Sequence, residues 1–217
     1  MKQLGDILCI DNYFSENQLC LCEKNLAHLE PVQAIHSYGV FPNQLIAEFK
    51  HLVYDQEIMD MMYSSFSKLF DCDRNIIDIP SVYVTKLFLP WDVHNDLCLD
   101  YVKDGFRYGF NFLIPLHDVN SRTIIFDQWS ETSNDFGEYK KVNSKVENPI
   151  SEEFWQENLS MCWPIDREYL TIKEVLPYQK RGQLVGFNRK FFHSSDNFHV
   201  KGIKEKTFIQ VRVDFAI

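Results

Sequence analysis

Residues 81–96 have the sequence SVYVTKLFLPWDVHND, in which a β-type run passes through Pro90 into a His-x-Asp pair. The run is rich in β-branched and aromatic residues, which predicts a strand over 81–89. Residues two apart in an extended segment project to the same side. Because His94 and Asp96 follow the strand directly, we expect their side chains to point together and to bind one metal ion.

A second His-x-acid pair, His28 and Glu30, lies in a different context. Ser15 predicts an N-cap for a helix over 16–29, whose apolar residues recur near helical spacing. Residues two apart on a helix do not face each other. We therefore interpret His28 as an ordinary surface or packing histidine.

The third candidate ligand is His193, which follows a turn at Gly182, a short strand over 183–187 and a hairpin. Almost half of the chain separates it from His94, so only a fold that returns to the same place joins the two. Two imidazoles and one carboxylate, with other positions left open, are the ligand set of non-haem iron(II) oxygenases. Alone, His193 would be interpreted as a hydrogen-bonded core histidine; beside the other two it completes a facial triad.

The last strand, predicted over 207–215, carries Arg212 among apolar residues. A buried guanidinium costs free energy unless an anion pairs with it. Arginine binds carboxylates through two parallel hydrogen bonds, so a bound dicarboxylate would supply that partner. An internal ion pair with Asp214 or Asp118 is the alternative, and Lys206 at the start of the strand is a second candidate anchor.

The rest of the sequence predicts helices first and strands afterwards. Apolar residues recur every three or four positions over 42–70, which indicates one or two helices. Strand patterns at 107–116 and 123–126 follow. This order predicts a mainly β sandwich or barrel over about 80–217, braced by N-terminal helices over about 15–70.

Residues 127–175 interrupt the strands with a polar and aromatic insertion, for which we expect a helix near 151–160. A long insertion in a compact domain is often a functional lid. Here it is either a substrate lid or an aromatic-rich packing element. With the helices and strands around it, it is expected to form a single domain over 1–217.

Composition limits the class of protein. The chain has 217 residues, and its net charge of −9 lacks the basic footprint of a nucleic-acid-binding protein, so no nucleic-acid partner is expected. No signal-like start and no apolar run of about 18 residues is present, which predicts a cytoplasmic protein without a membrane span. The six cysteines include no C-x-x-C pair, so we expect reduced thiols rather than disulfides or a zinc ribbon.

Three parts of the sequence together resemble the iron(II)/2-oxoglutarate-dependent oxygenase superfamily, in particular its prolyl-hydroxylase-like and phytanoyl-hydroxylase-like members. The start ILCIDNYFSENQL at 7–19 is similar to their strand, Asp-Asn-Phe-Leu-Ser and helix. PWDVHND at 90–96 is similar to their first metal motif, and the segment 182–195 to their distal histidine segment. The resemblance implies a double-stranded β-helix, a jelly-roll, cupin-like barrel with the metal inside its mouth.

The resemblance also implies a chemistry and a site. Iron(II), held by His94, Asp96 and His193, would use 2-oxoglutarate as co-substrate and O2 to hydroxylate a small molecule, for example one like an amino acid, or a protein side chain. Arg212 would bind the co-substrate. The number of residues between His193 and Arg212 is larger than in many members, so Lys206 remains an alternative anchor. Other residues have weaker implied roles: Tyr83 and Asn111 would hydrogen-bond 2-oxoglutarate or be routine barrel polar residues, Ser195 would support His193, and Trp91 would pack or shape the substrate pocket.

Two other functions remain open from the sequence. One is a non-catalytic metal-binding, cupin-type interaction module on the same barrel. The other is a cupin-type dioxygenase or isomerase that needs no 2-oxoglutarate, although such proteins typically use three histidines and a glutamate. The oligomeric state is not indicated by any pattern.

Overall fold

The computed structural model describes residues 5–33, 46–97, 103–132, 136–160, 162, 164–178 and 180–217. The strands are β1 (Ile7–Ile10), β2 (Glu30–Gln33), β3 (Ile46–Leu52), β4 (Ile77–Leu87), β5 (Phe106–Pro115), β6 (Ser121–Trp129), β7 (Ile172–Tyr178), β8 (Leu184–Asn188), β9 (Phe191–Ser195) and β10 (Lys206–Ala216). The helices are α1 (Glu16–Glu23), α2 (Gln56–Phe70), α3 (Phe136–Val142) and α4 (Glu152–Asn158), with 3-10 turns at Lys24–His28, Arg74–Ile76 and Pro164–Tyr169.

The strands within these residues form two antiparallel sheets. The larger sheet has seven strands in the order β1-β8-β5-β10-β4-β3-β2, and the smaller has three in the order β7-β6-β9. Side chains of the two sheets pack together, since Ile125 and Leu176 of the smaller sheet share a buried cluster with Val185 and Phe187 of the larger. The β8–β9 hairpin passes from one sheet to the other. Two packed antiparallel sheets of this kind form the predicted jelly-roll.

Helix α2 braces the outer face of the larger sheet. Asp55 caps it by accepting hydrogen bonds from the backbone N–H groups of Glu57 and Ile58. The helix buries one residue per turn, and this stripe packs on phenylalanines of β5 and β10. The stripe consists of Ile58, Met62, Phe66 and Phe70. The predicted packing face of this helix is therefore present.

The N-terminal part of the predicted helical segment 42–70 is a strand instead. Residues 46–52 form β3, which pairs with both β2 and β4, while 42–45 lie outside the described residues. The apolar residues Phe49 and Leu52 fit helical spacing, but their neighbours alternate as in a strand: Glu48 is buried and Lys50 faces the same side. Pairing with β4 therefore overrides the local pattern. Since β1, β2 and β3 all join the larger sheet, the barrel is not confined to 80–217.

The insertion predicted over 127–175 is partly regular structure. Strand β6 runs on to Trp129, α4 lies where a helix is predicted, and β7 begins at Ile172. Trp155 is only 2% exposed and packs with Phe136, Leu159 and other apolar residues against the outer side of the smaller sheet. Trp129 is half-exposed, and Trp163 lies outside the described residues. Much of this segment is therefore a packing element.

Candidate metal centre

The two candidate histidine ligands are neighbours in the backbone. His94 and His193 form an isolated antiparallel bridge, in which His94 N donates to His193 O at 3.1 Å and His193 N donates to His94 O at 2.8 Å. On its other side β9 pairs with β6, so His193 lies opposite Ile125. The bridge brings the two imidazole rings to 4.4 Å between centroids. Strand β9 thus brings the distant part of the chain back to His94, as the sequence requires.

Both imidazoles are held by a backbone carbonyl through the same ring nitrogen, Nδ1. His94 Nδ1 lies 2.6 Å from the carbonyl oxygen of Asp92, and His193 Nδ1 lies 3.2 Å from that of Phe191. A carbonyl oxygen can only accept, so each Nδ1 carries the proton. With a metal ion bound, each Nε2 would supply the lone pair, as a metal ligand requires.

Asp96 is 5% exposed, and side chains from the larger sheet surround its carboxylate. Asn111 Nδ2 on β5 donates to Oδ2 at 2.6 Å. Gln210 Nε2 and Arg212 Nη2 on β10 donate to Oδ1 at 3.3 and 3.4 Å. Oδ2 also lies 3.3 Å from His193 Nε2. Burial alone would raise the pKa of Asp96, but His193, Arg212 and His94 hold it well below its ordinary value, so the carboxylate is ionised.

The three side chains can hold one metal ion. One ligand atom from each of His94, Asp96 and His193 lies within 4.8 Å of the other two. A ligand set of two imidazoles and one carboxylate suits iron(II), and leaves positions open for other molecules. The residues present therefore fit the metal that the sequence predicts.

A buried ion pair holds the backbone of Asp96. Arg189 and Asp214 are both fully buried, and Arg189 Nη1 donates to Asp214 Oδ1 at 2.5 Å. Arg189 Nε also donates to the backbone oxygen of Asp96 at 3.1 Å, and Asp96 N donates to Arg189 O at 3.2 Å. The sequence analysis proposed Asp214 or Asp118 as an internal partner for Arg212. In the structure, Asp214 pairs with Arg189, and Arg212 contacts Asp96.

The metal centre opens into a cavity of about 700 Å³. Lys206 lines this cavity and is 3% exposed. Its Nζ donates to the hydroxyls of Ser121 and Ser195 and lies 4.8 Å from the ring centroids of Tyr178 and Phe198. Burial lowers the pKa of Lys206 to about 8. Tyr178 Oη is buried and has no hydrogen-bond partner in the described part of the chain.

The remaining predicted residues have different surroundings. Asn111 and Trp91 line the cavity, and Trp91 Nε1 donates to Glu48 Oε2 at 3.3 Å. Tyr83 lies under the ammonium of Lys50, 4.4 Å from ring centroid to Nζ, and is not among the residues described as lining the cavity. Ser195 interacts with Lys206, whereas His193 Nδ1 is held by a backbone carbonyl, so the expected support of His193 by Ser195 is not what the structure shows.

Two groups of residues were not predicted. Around Lys206, Ser121 on β6 and Tyr178 on β7 were not predicted and Ser195 on β9 was predicted in another role, because no spacing in the sequence links these strands. Arg189 follows a predicted strand, and only its total burial marks it as unusual. A signal was nevertheless present for Lys206, since a lysine between apolar strand residues requires a partner as much as an arginine does.

The sequence matches no protein-family model and no curated protein. Solved structures are similar in fold. The non-haem α-ketoglutarate-dependent epimerase SnoN from nogalamycin biosynthesis matches 97% of this chain and 78% of its own, at 10% identity and a TM-score of 0.59. HygX from Streptomyces hygroscopicus, with nickel and 2-oxoglutarate bound, matches 96% and 82%, at 10% identity and a TM-score of 0.54.

A 2OG-Fe(II) oxygenase family oxidoreductase from Burkholderia pseudomallei matches 96% of this chain and 85% of its own, at 10% identity and a TM-score of 0.54. These similarities extend over nearly the whole chain and include both sheets. They confirm the mainly β architecture and the jelly-roll fold that the resemblance implies. The chain therefore has the double-stranded β-helix fold of the iron(II)/2-oxoglutarate oxygenases.

Proposed function

We propose that this protein is an iron(II)- and 2-oxoglutarate-dependent oxygenase that hydroxylates a small molecule or a peptide side chain. The observation that carries the proposal is the cluster of His94, Asp96 and His193. Both imidazoles are held through Nδ1 by backbone carbonyls and the carboxylate is ionised, in a cavity that also contains a buried lysine. HygX, which shares the fold, binds nickel and 2-oxoglutarate.

Lys206 is the better candidate for binding the far carboxylate of 2-oxoglutarate. Ser195 lies two residues after His193 on β9, so its Cα is roughly 7 Å farther along the strand, comparable with the length of a five-carbon dicarboxylate. The ammonium of Lys206 contacts Ser195 Oγ at that point. Tyr178 Oη, a buried donor without a partner among the described residues, is beside it. Arg212 instead contacts Asp96 at the metal end.

The protein's own residues hold the reactants in place. Iron(II) with 2-oxoglutarate supplies, when bound, the oxidising chemistry that uses O2. Asn111, Gln210 and Arg212 orient the Asp96 carboxylate and keep it ionised. The two backbone carbonyls fix the rotation of the imidazoles. Lys206, with the hydroxyls of Ser121 and Ser195, positions the co-substrate at that end of the cavity.

The cysteines bear on the cellular setting. Cys9, Cys20, Cys22, Cys72 and Cys162 are all free thiols, which supports a reducing, cytoplasmic compartment. Among the described helices, none is long and apolar enough to cross a membrane. We retain the proposals that the chain works as one domain and that nucleic acid is not its substrate.

The test is anaerobic reconstitution of the protein with iron(II) and 2-oxoglutarate. A metal-to-ligand charge-transfer band in the visible spectrum is expected, because the co-substrate would chelate the iron held by the triad. Iron binding without the band would favour the metal-binding interaction module. Iron binding that supports O2 consumption without 2-oxoglutarate would favour the cupin-type enzyme. Failure to bind iron would contradict the assignment of the triad.

A further inference from the structure

A group of charged and polar side chains lines the cavity at the metal end; its members contact Asp96 or one another but would not themselves bind iron or co-substrate. It consists of Lys50 and Glu48 on β3 and Arg212 and Gln210 on β10. Lys50 Nζ donates to Gln210 Oε1 at 3.3 Å, and Gln210 Nε2 donates to Asp96 Oδ1. The side chains from the two strands therefore reach the same part of the cavity as the metal ligands.

The two cations of this group are incompletely paired. Lys50 Nζ is 3.8 Å from Glu48 Oε1, and Arg212 Nη2 is 3.4 Å from Asp96 Oδ1, both longer than a charge-assisted hydrogen bond of about 2.8 Å. Arg212 Nε is buried and has no hydrogen-bond partner in the part of the chain that is described. A guanidinium presents a planar fork of donors that matches a carboxylate. Arg212 thus has donors that the surrounding protein does not use.

Binding of the metal leaves this positive charge less compensated. Asp96, the only carboxylate in contact with Arg212 among the described residues, would then be a metal ligand. Of the co-substrate's two carboxylates, one would bind the metal and the other Lys206. The remaining group contains two cations, Lys50 and Arg212, and one carboxylate, Glu48. Its net positive charge faces the space in which the substrate must lie.

The position of Lys50 is fixed by two contacts, unlike the position of a lysine on a free surface. Its ammonium lies 4.4 Å from the ring centroid of Tyr83, a cation–π distance. Strand β3 holds its backbone opposite Thr85 of β4. The rest of the cavity wall has an apolar part, formed by Leu87, Trp91, Val93, Leu97 and Phe136, and a separate charged part, formed by Asp92, Lys140 and Asp166.

We propose that Arg212 and Lys50 bind a carboxylate of the oxidised substrate, whose apolar body lies against the Trp91 side of the cavity. The proposal rests on the function proposed above and adds a substrate class to it: organic acids with an apolar body. Arg212 supplies two parallel donors, Lys50 a point charge, and Glu48 competes with the substrate for Lys50.

The test uses the anaerobic protein loaded with iron(II) and saturated with 2-oxoglutarate. Straight-chain carboxylates from butanoate to octanoate are titrated calorimetrically against their primary amides, which have the same shape without the charge. At least one acid is expected to bind roughly tenfold or more tightly than its amide, as a charge-assisted hydrogen-bonded pair implies. If no acid of the series binds more tightly than its amide, the proposal is overturned, while a visible charge-transfer band in the same sample leaves the oxygenase function standing.

Variants test whether this charged group causes the preference for the acid over its amide. Arg212→Gln and Lys50→Gln are each expected to reduce the preference for the acid severalfold, and Glu48→Gln to increase it, because the competing carboxylate is removed. An increase in affinity cannot arise from misfolding. Lys86→Gln, on β4 and paired with Glu205, is the matched control and should leave the preference unchanged.

The same variants distinguish the substrate site from the co-substrate site. The affinity for 2-oxoglutarate, measured from the charge-transfer band, is expected to change little in Lys50→Gln and to fall sharply in Lys206→Met. If Arg212→Gln loses 2-oxoglutarate while keeping the preference for the acid, Arg212 is the co-substrate anchor and the proposal is wrong. If the wild-type protein forms no band at all, both the proposal and the oxygenase function fail.

Discussion

At the scale of single residues, Asn111 shows how a neutral side chain controls a metal ligand. Its Nδ2 donates to Asp96 Oδ2 at 2.6 Å, the shortest of the side-chain hydrogen bonds described to that carboxylate. Loss of a group that orients a metal ligand typically weakens metal binding by roughly 10–100-fold. We expect Asn111→Ala to weaken iron(II) binding by that factor in an anaerobic titration. The exposed Asn143→Ala is the control; equal affinities for the two variants would contradict the role of Asn111.

Lys206 is expected to make the protein less stable and at the same time to bind the co-substrate. Its pKa in the folded protein is lowered by burial to about 8, below the ordinary 10.5. The charged form is therefore penalised in the fold, and the penalty is fully present below pH 8 and fades as the pH rises toward 10.5. Without ligand, Lys206→Met should stabilise the protein by roughly 3 kcal/mol at pH 7 and much less near pH 10.

Chemical denaturation at several pH values tests this prediction, with the exposed Lys204→Met as the control. The same substitution should abolish measurable 2-oxoglutarate binding, and in the wild-type protein that affinity should decline above about pH 8 as the ammonium loses its proton. A Lys206→Met protein that is destabilised at pH 7 would show that Lys206 is satisfied in the fold without a ligand.

The sequence predicted the triad because its chemistry depends on residue types, but for the co-substrate anchor it favoured Arg212 and left Lys206 as an alternative. Arg212 and Lys206 lie on the same strand and face the same cavity, so the pattern of β10 allows either. The difference between them comes from β6, β7 and β9, which surround Lys206 with hydroxyls and aromatic rings. Contacts between strands that are distant in sequence are not encoded in any local spacing.

At the scale of elements, helix α2 stabilises the outer face of the larger sheet. Phe66 is fully buried, and its ring centroid lies 4.5 Å from that of Phe112 on β5. Phe66→Ala is expected to lower the free energy of unfolding by about 3–5 kcal/mol, since the cavity it leaves cannot refill. Urea denaturation measures the change. Ser64→Ala, on the exposed side of the same helix, should change the free energy by less than about 0.5 kcal/mol.

The same helix and its neighbour β3 show where local patterns succeed and fail. Apolar residues at three- and four-residue steps predict α2 correctly, because its burial is one-sided. Strand β3 places the cavity-lining Glu48 and Lys50 on one side and Phe49 on the other. A polar cavity replaces the apolar core on that side, so the alternation typical of a half-buried strand is concealed. The prediction was wrong for a functional reason rather than because the signal was weak.

At the scale of the whole molecule, iron and co-substrate should stabilise the fold. Their proposed ligands come from both sheets: His193 and Ser195 lie on the smaller, Lys206 and Asn111 on the larger. A ligand that binds only the folded state at about 100 times its dissociation constant adds about 2.7 kcal/mol of stability. We expect iron(II) with 2-oxoglutarate to raise the melting temperature by several degrees under anaerobic conditions, and a chelator to reverse the increase. No shift in the wild-type protein would contradict binding between the sheets.

The buried Arg189–Asp214 pair is also a property of the whole molecule, because it joins the β8–β9 turn to β10 and, through the Asp96 backbone, to the metal motif. Removal of one partner leaves an uncompensated buried charge, which costs about 3–5 kcal/mol. Arg189→Met should therefore destabilise the protein by this amount in urea denaturation. Arg189→Met combined with Asp214→Leu should recover much of the loss; a double variant as unstable as the sum of the singles would exclude coupling.

The backbone bridge between His94 and His193 also determines when an iron site can exist during synthesis. Its two hydrogen bonds join segments separated by almost half of the chain, and His193 lies close to the C-terminal end of the sequence. A ribosome-bound chain that has only just completed β6 contains His94, Asp96 and Asn111 but lacks His193, the bridge partner of His94 and the third proposed ligand. Metal acquisition must therefore follow translation of β9, and truncated chains that end before it would remain iron-free however well their N-terminal helices fold.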